Sequence, residues 1–424
     1  MQLIRDKLTS LQADVETKIE PVIKKIEKIV DQNQQKVLAA FQEHRVSDFH
    51  FADSTGYGHN DLGRSVLESV YASAFGAEAS IVRPHIVSGT HAISSVLFGI
   101  LRPGDQLLYI SGKPYDTLEE VVGERGNGQG SLKEFQINYQ WLPLKDDKMD
   151  YQLIAESITE RTKIIGIQRS RGYSSRPSFT IAELEDCIQF CKQIKPNVTV
   201  FVDNCYGEFT ELLEPTEVGA DVMAGSLIKN PGGGIVRSGG YIVGKQQYID
   251  QISYRVTSPG IGRDGGAMLG TTRELFQGLF LSPHTVGEAL KGVVFAAAIL
   301  EELGFVSDPL WHQPRTDIIQ AIHLKEPENL KLFCQAIQKS SPVDSHVVPV
   351  PSYMPGYQDD VIMAAGTFIQ GASIELSADG PMRAPYSVYL QGGLTYSHVK
   401  IGILAAVAEL MEKGTNIGYN RNIQ

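Results

Sequence analysis

Apolar residues recur along this chain in two rhythms. Over the first 45 positions they fall at helical spacing: Leu3, Leu8, Leu11 and Val15, then Val22, Ile23, Ile26, Val30 and Val37, with Lys and Glu between them. That pattern predicts an amphipathic helical arm, whose apolar stripe must lie on the main body or on another subunit. Beyond a polar, glycine-rich stretch at 53–64, a helix is expected over 65–75. Short apolar runs then follow at 81–87, 106–110, 137–142, 164–167, 198–202, 222–227 and 241–243, separated by helical segments. Strands alternating with helices predict a mostly parallel sheet covered on both faces. A long Ala-rich helix is expected over 285–303, and the remainder reads as α+β, ending in a helix at 399–413. The tail 414–424 reads as a loosely held terminus. The expected fold class is α/β: a helical arm over 1–50, a large domain over 51–284 with a seven-stranded sheet, and a smaller α+β domain over 285–424.

In sheets of this kind ligands sit beyond the carboxyl ends of the strands. The polar groups fall at those ends: Ser88-Gly-Thr-His91, Lys113-Pro-Tyr115, Gln168-Arg-Ser-Arg171, Asp203-Asn204 and Lys229. Asp203 closes the run 198–202, and Lys229 follows the run 222–228, entering a turn of Asn230-Pro-Gly-Gly-Gly234. A carboxylate and a lysine ending two buried strands suit pyridoxal phosphate chemistry. The lysine forms a Schiff base, and the carboxylate pairs with the pyridinium nitrogen so that the ring stays an electron sink. Desolvation at a strand end is expected to lower the Lys229 pKa toward the range of a nucleophilic amine.

Ser88-Gly-Thr-His-Ala92 lies where a strand turns into a helix, so backbone N–H groups of Gly89 and Thr90 point where an anion would bind. Ser226 offers a hydroxyl three residues before Lys229. Tyr115 offers an aromatic face for the cofactor ring, and His91 competes for that role. A GxxxxGK[ST] loop and a GxGxxG turn after the first strand are absent, which disfavours ATP and nicotinamide readings.

Composition narrows the setting. A net charge of −11 argues against a nucleic-acid surface. The longest apolar run, Val293 to Leu300, is too short to span a bilayer. The first residues, with Arg5, Asp6 and Lys7, are unlike a signal peptide, so a cytoplasmic location is expected. Cys187, Cys191, Cys205 and Cys334 lack metal-ligand spacing and read as buried free thiols; no metal site is expected.

At these residues the chain resembles the fold-type I pyridoxal phosphate enzymes, within them the cystathionine lyase and methionine γ-lyase branch of Cys/Met metabolism. More closely it is similar to the bacterial family known as aluminium resistance proteins. The densest marks are Gly56-Tyr-Gly-His-Asn-Asp-Leu-Gly-Arg64, Ser88 to Ala92, Gln168-Arg-Ser-Arg-Gly-Tyr173, Val202-Asp-Asn-Cys-Tyr-Gly-Glu208 and Lys229 to Gly234. The resemblance implies a transferase-like large domain, with Lys229 as Schiff-base residue and Asp203 as pyridinium partner. It implies Gly89, Thr90 and Ser226 on the phosphate and Tyr115 on the ring. Tyr57, with Arg64 beside it at a spacing unlike the lyases', corresponds to groups that reach a neighbouring subunit's phosphate. That implies a homodimer or homotetramer with shared active sites; for γ-elimination a second proton shift is expected, carried by Lys229 or Tyr57.

A substrate carboxylate calls for a guanidinium, with Arg383 and Arg171 as the two candidates. The implied activity is carbon–sulfur bond cleavage in a sulfur-containing amino acid, giving a 2-oxo acid, ammonia and a thiol. A γ-synthase, a sulfhydrylase or an aldolase would use the same residues. A regulatory protein retaining the fold is the non-enzymatic alternative, against which intact Lys229 and Asp203 argue.

Overall fold

The computed structural model describes residues 2–354 and 359–415. Of the expected tail, residues 416–424 lie outside the described residues, as does the side chain of Leu3. By its contacts the chain forms two units, one of Gln32–Ser282 and one comprising Met1–Asp31 and Pro283–Gln424.

The N-terminal helix α1 (Gln2–Glu43) buries Leu11, Val15, Ile19, Ile26 and Val37 and leaves most of its Lys and Glu side chains outside. Of the apolar stripe read from the sequence, Leu11, Val15, Ile26 and Val37 are buried within the chain, whereas Leu8, Val22, Ile23 and Val30 stay partly exposed. After α2 (Leu62–Ala74) come β1 (Ala79–Arg83), α3 (Gly89–Ile100), β2 (Gln106–Tyr109), α4 (Asp116–Val122), β3 (Asn138–Trp141), α5 (Tyr151–Ser157) and β4 (Thr162–Gln168). Then follow α6 (Ile181–Ile194), β5 (Thr199–Asp203), β6 (Val222–Ser226), β7 (Gly240–Gly244) and α7 (Gln246–Val256). The seven strands form one sheet in the order β1-β7-β6-β5-β4-β2-β3. From β3 through β6 neighbours are parallel, whereas β7 runs antiparallel to both β6 and β1. This is the fold type that the resemblance implied.

β5 and β6 lie mid-sheet, and every residue of both is buried. Covered on two faces, such strands need apolar residues at successive positions, which is why they stand out as runs rather than alternations. β3 is the exposed edge. One face packs on α3 and α7, where Ile93, Val96, Leu97 and Ile100 meet Ile249, Ile252, Phe201 and Val222. α3 thus has its N-terminus directed to the strand ends that carry Asp203 and Lys229.

In the second unit, β8 (Val306–Asp308), β9 (Ile319–His323), β10 (Val361–Ala364), β11 (Ser377–Pro381) and β12 (Ser387–Gln391) form an antiparallel sheet ordered β10-β11-β12-β9-β8. Helices α9 (Pro327–Lys339) and α10 (Tyr396–Lys413) pack together in this unit. The long helix α8 (Thr272–Glu302) begins 13 residues before the expected start at 285. Pro283 lies inside it. Among the described residues no helix is long and apolar enough to cross a membrane. The four cysteines are free and buried. Among the described residues, no group of three or more His, Cys, Asp or Glu could hold a metal ion.

Candidate active site

Asp203 ends β5, hydrogen-bonded in register between Gln168 of β4 and Ala224 of β6. It is buried, and its Oδ1 accepts the Cys205 N–H at 3.1 Å. Burial pushes its carboxyl above the ordinary range, opposed by that N–H and by Lys229. A buried acid with so few donors of its own is poised for a cationic or N–H partner.

Lys229 emerges three residues beyond β6. The turn after it closes tightly: Gly232 N–H donates to the Lys229 carbonyl at 3.1 Å, and Asn230–Gly232 form a single 3-10 turn. A Cβ on Gly232 would come within 1.8 Å of the Leu227 carbonyl oxygen, so only glycine lets the chain fold back here. The Lys229 side chain is half-buried. Its Nζ lies 3.8 Å from the centroid of the Tyr206 ring. Burial works against the ammonium, yet Cys205, Tyr206 and Asp203 outweigh it and hold the pKa above the ordinary lysine value. The expectation of a lowered amine pKa is therefore corrected for the cofactor-free chain. Desolvation is present as expected, but the neighbours that favour the charge are stronger.

The anion cradle is built at the start of α3. Ser88 caps the helix, its Oγ accepting the His91 N–H at 3.0 Å, a contact worth about 1 kcal/mol. The N–H groups of Gly89 and Thr90 stand one turn too early for intrahelical partners, and among the described residues they donate to nothing else. A Cβ on Gly89 would lie 3.3 Å from Cys205 Sγ and 3.4 Å from Ser226 Cβ. The α3 terminus, the turn after β5 and the end of β6 thus converge on one spot. Thr90 Oγ1 lies 3.0 Å from the Tyr115 hydroxyl and 3.2 Å from Thr117 Oγ1. Tyr115 is anchored through its N–H to Gln168 Oε1 at 3.1 Å, and burial, then Asp203, pushes its phenol pKa up. His91 Nδ1 accepts the Val87 N–H at 3.2 Å, which ties the ring to its own turn, and burial lowers its pKa.

Lys229, Asp203, Gly89, Thr90, Ser226 and Tyr115 thus belong to one neighbourhood: unpaired N–H donors, a buried acid, an aromatic ring and an amine. Tyr57 is 80% exposed; its ring meets His59, and it makes no hydrogen bond or ring contact with that group. Arg64 is buried, and its guanidinium donates to the carbonyls of Gly58, Gly266 and Asp264. Its two terminal nitrogens hold two loops together, while its Nε is buried without a partner among the described residues. Arg171 is buried with its Nε donating to the Arg176 carbonyl. Arg383, in the other unit, is exposed beside Asp359 at 3.5 Å.

The stretch Val202 to Glu208 stands out in the sequence as a motif, but no role is read there for the residues after Asp203. Tyr206 and Phe209 adopt left-handed backbone conformations, φ 74° and 60°. Such strain costs about 1–3 kcal/mol at each bulky residue. The buried Arg169 holds the turn, donating to Asn204 Oδ1 and to the Gly207 carbonyl, both at 2.9 Å. Glu214 completes the frame by accepting from Asn204 Nδ2 at 2.9 Å and Phe209 N–H at 2.8 Å. Glu208 is buried within reach of the Lys229 charge, and burial pushes its carboxyl up to about 8. The usable signal was an Asn, two glutamates and an arginine crowded onto the ends of apolar strands.

Comparison with known proteins places the chain. The methionine γ-lyase family profile matches residues 8–411. The Bacillus subtilis protein YnbB is 61% identical over 402 residues, covering 94% of this chain and 96% of its own. A candidate cystathionine β-lyase involved in aluminium resistance from Listeria monocytogenes superposes at a TM-score of 0.94 with 58% identity, covering 95% of this chain and 99% of that one. The pyridoxal-5'-phosphate-dependent protein YhfS from Escherichia coli, 18% identical with a TM-score of 0.60 over 89% of this chain and 96% of its own, shares the fold. With a profile match across nearly its whole length, the chain belongs to the methionine γ-lyase family.

Proposed function

We propose that the protein is a pyridoxal phosphate-dependent carbon–sulfur lyase acting on a sulfur-containing amino acid. The observation that carries this reading is the convergence of Lys229 and Asp203, from neighbouring strand ends, on the N-terminus of α3. The donor set fits the cofactor. Free N–H groups of Gly89 and Thr90 suit a phosphate, with the Ser226 hydroxyl beside them. Tyr115 offers an aromatic face, Asp203 an acid for a pyridine nitrogen, and Lys229 an amine for an aldehyde. When bound, pyridoxal phosphate supplies a sink for the electron pair left at the substrate α-carbon.

The protein's share is binding, orientation and proton transfer. Lys229 Nζ accepts the α-proton when free of covalent linkage, and the same ammonium can return a proton during departure of the thiol. Asp203, buried at the sheet's centre, stabilises positive charge on its partner without competition from water. Arg383 or Arg171 pairs with the substrate carboxylate, and Tyr57 serves a neighbouring copy's site in a homo-oligomer. Overall, one amino acid and one water give a 2-oxo acid, ammonia and a thiol.

Purified protein loaded with pyridoxal phosphate and offered cystathionine, cysteine, methionine and homocysteine tests the reading. Equimolar 2-oxo acid and thiol from at least one of them is the expected result. Turnover that joins a thiol to an activated substrate, with no 2-oxo acid, would replace the lyase by a synthase.

A further inference from the structure

The turn Asn204-Cys-Tyr-Gly-Glu-Phe-Thr210 is shaped at a cost. Tyr206 stands at φ 74° and Phe209 at φ 60°, conformations that large side chains avoid. Glycine would adopt either without strain, so the side chains there have a use that offsets it. Gly207, between them, admits no side chain: a Cβ would lie 2.8 Å from both the Arg169 guanidinium and Asn204 Oδ1. The Arg169, Asn204 and Glu214 hydrogen bonds fix the turn from one side. From the other, Asn230 Nδ2 donates to the Glu208 carbonyl at 3.0 Å. Asn230 adjoins Lys229, so this bond holds the turn and the lysine segment in fixed register. The outcome of all this bracing is one contact, the Tyr206 ring 3.8 Å beneath Lys229 Nζ.

We infer that Tyr206 is a positioning residue: its ring face is the resting place of the Lys229 ammonium whenever the amine is not covalently engaged. The negative face of an aromatic ring attracts a cation and has far less hold on a neutral amine. Among the described residues Nζ makes no ion pair with a carboxylate within 4 Å, and the Tyr206 ring offers it a favourable surface at 3.8 Å. The groups facing the amine are Asp203 at the end of β5, Cys205 and Tyr206 on the turn, and Glu208 beyond it. Of these the Tyr206 ring stands 3.8 Å from Nζ, and the Tyr206 hydroxyl also favours the charge. Such a seat keeps the protonated amine beside the reaction centre instead of letting a long, flexible side chain wander into solvent. It also releases the amine once the proton is passed on, because the attraction goes with the charge.

The inference deepens the proposed function and rests on Lys229 as the reactive amine, but it is tested without cofactor. Tyr206→Phe keeps the ring and drops the hydroxyl. Tyr206→Gly removes the ring and also relieves the left-handed strain, so it is expected to fold. Titration of the Lys229 Cε resonance by NMR in the cofactor-free full chain, assigned with Lys229→Arg, reads the amine directly. The expected result is a midpoint about one pH unit higher in Tyr206→Phe than in Tyr206→Gly. Equal midpoints in the two variants overturn the inference. Failure of Lys229 to bind pyridoxal phosphate would instead overturn the functional reading and leave this comparison intact.

Discussion

The Tyr241 hydroxyl donates a 2.7 Å hydrogen bond to Glu208 Oε1, while Glu208 Oε2 is buried with no partner. A carboxylate in that position would be half-solvated by one phenol in a dry interior. Burial therefore pushes the Glu208 carboxyl up from its ordinary 4.5 to about 8. The folded chain holds a proton there at neutral pH that the unfolded chain has released. Unfolding then loses a proton between about pH 4.5 and 8, so the group's contribution to stability is full below that window and declines as pH rises through it. Glu208→Gln is neutral at every pH. The difference in unfolding free energy between the two proteins, from urea titrations at pH 5 to 9, is expected to move in the variant's favour with rising pH. Where Glu208 differs by one whole proton between states, the slope approaches about 1.4 kcal/mol per pH unit. A pH-independent difference would mean that Glu208 is ionised in the folded protein.

Gly232→Ala tests the geometry that delivers Lys229. The added methyl meets the Leu227 carbonyl oxygen and lies 2.9 Å from Val236 Cβ, neither of which can swing away as a flexible side-chain tip would. The backbone must move, at a cost of about 1–3 kcal/mol or more. The expected outcome is a lowered melting temperature together with weakened pyridoxal phosphate uptake, measured by absorbance titration. A variant of unchanged stability and uptake would show that the turn is permissive.

Tyr57 gives a prediction about assembly. Its ring is exposed and idle with respect to Lys229 in its own chain, which suits a group used by a neighbour. If sites are shared between copies, inactive Tyr57→Phe and inactive Lys229→Ala proteins regain activity on mixing under subunit exchange, because some hybrid sites then contain both intact groups. Absence of recovery, with hybrids demonstrated by native mass spectrometry, would place each site within one chain.

Much of the frame was legible in the sequence for a simple reason. β5 and β6 are buried on both faces, so their residues read as apolar runs, and Asp203 and Lys229 are conspicuous as the charges that follow. The Ser88 to Ala92 turn, which alone could be an ordinary strand-to-helix turn, was legible beside Asp203 and Lys229. The support beneath the site was not. Arg169, Asn204, Glu208 and Glu214 meet through loops, and hydrogen-bond networks leave no periodicity to read. The direction of the Lys229 pKa was misjudged for the same reason. Burial is visible in a run of apolar neighbours, whereas the groups that favour the ammonium come from the turn after another strand. The expected start of α8 fell 13 residues late, and the helix continues through Pro283.

Covalent capture of the cofactor tests the central claim most directly. The protein is incubated with pyridoxal phosphate, reduced with borohydride, digested and mapped by mass spectrometry. The account predicts that the reduced cofactor is found on the peptide containing Lys229, and that Lys229→Ala loses both this adduct and the yellow colour that borohydride discharges. Capture on a different lysine, or colour retained in Lys229→Ala, would contradict it.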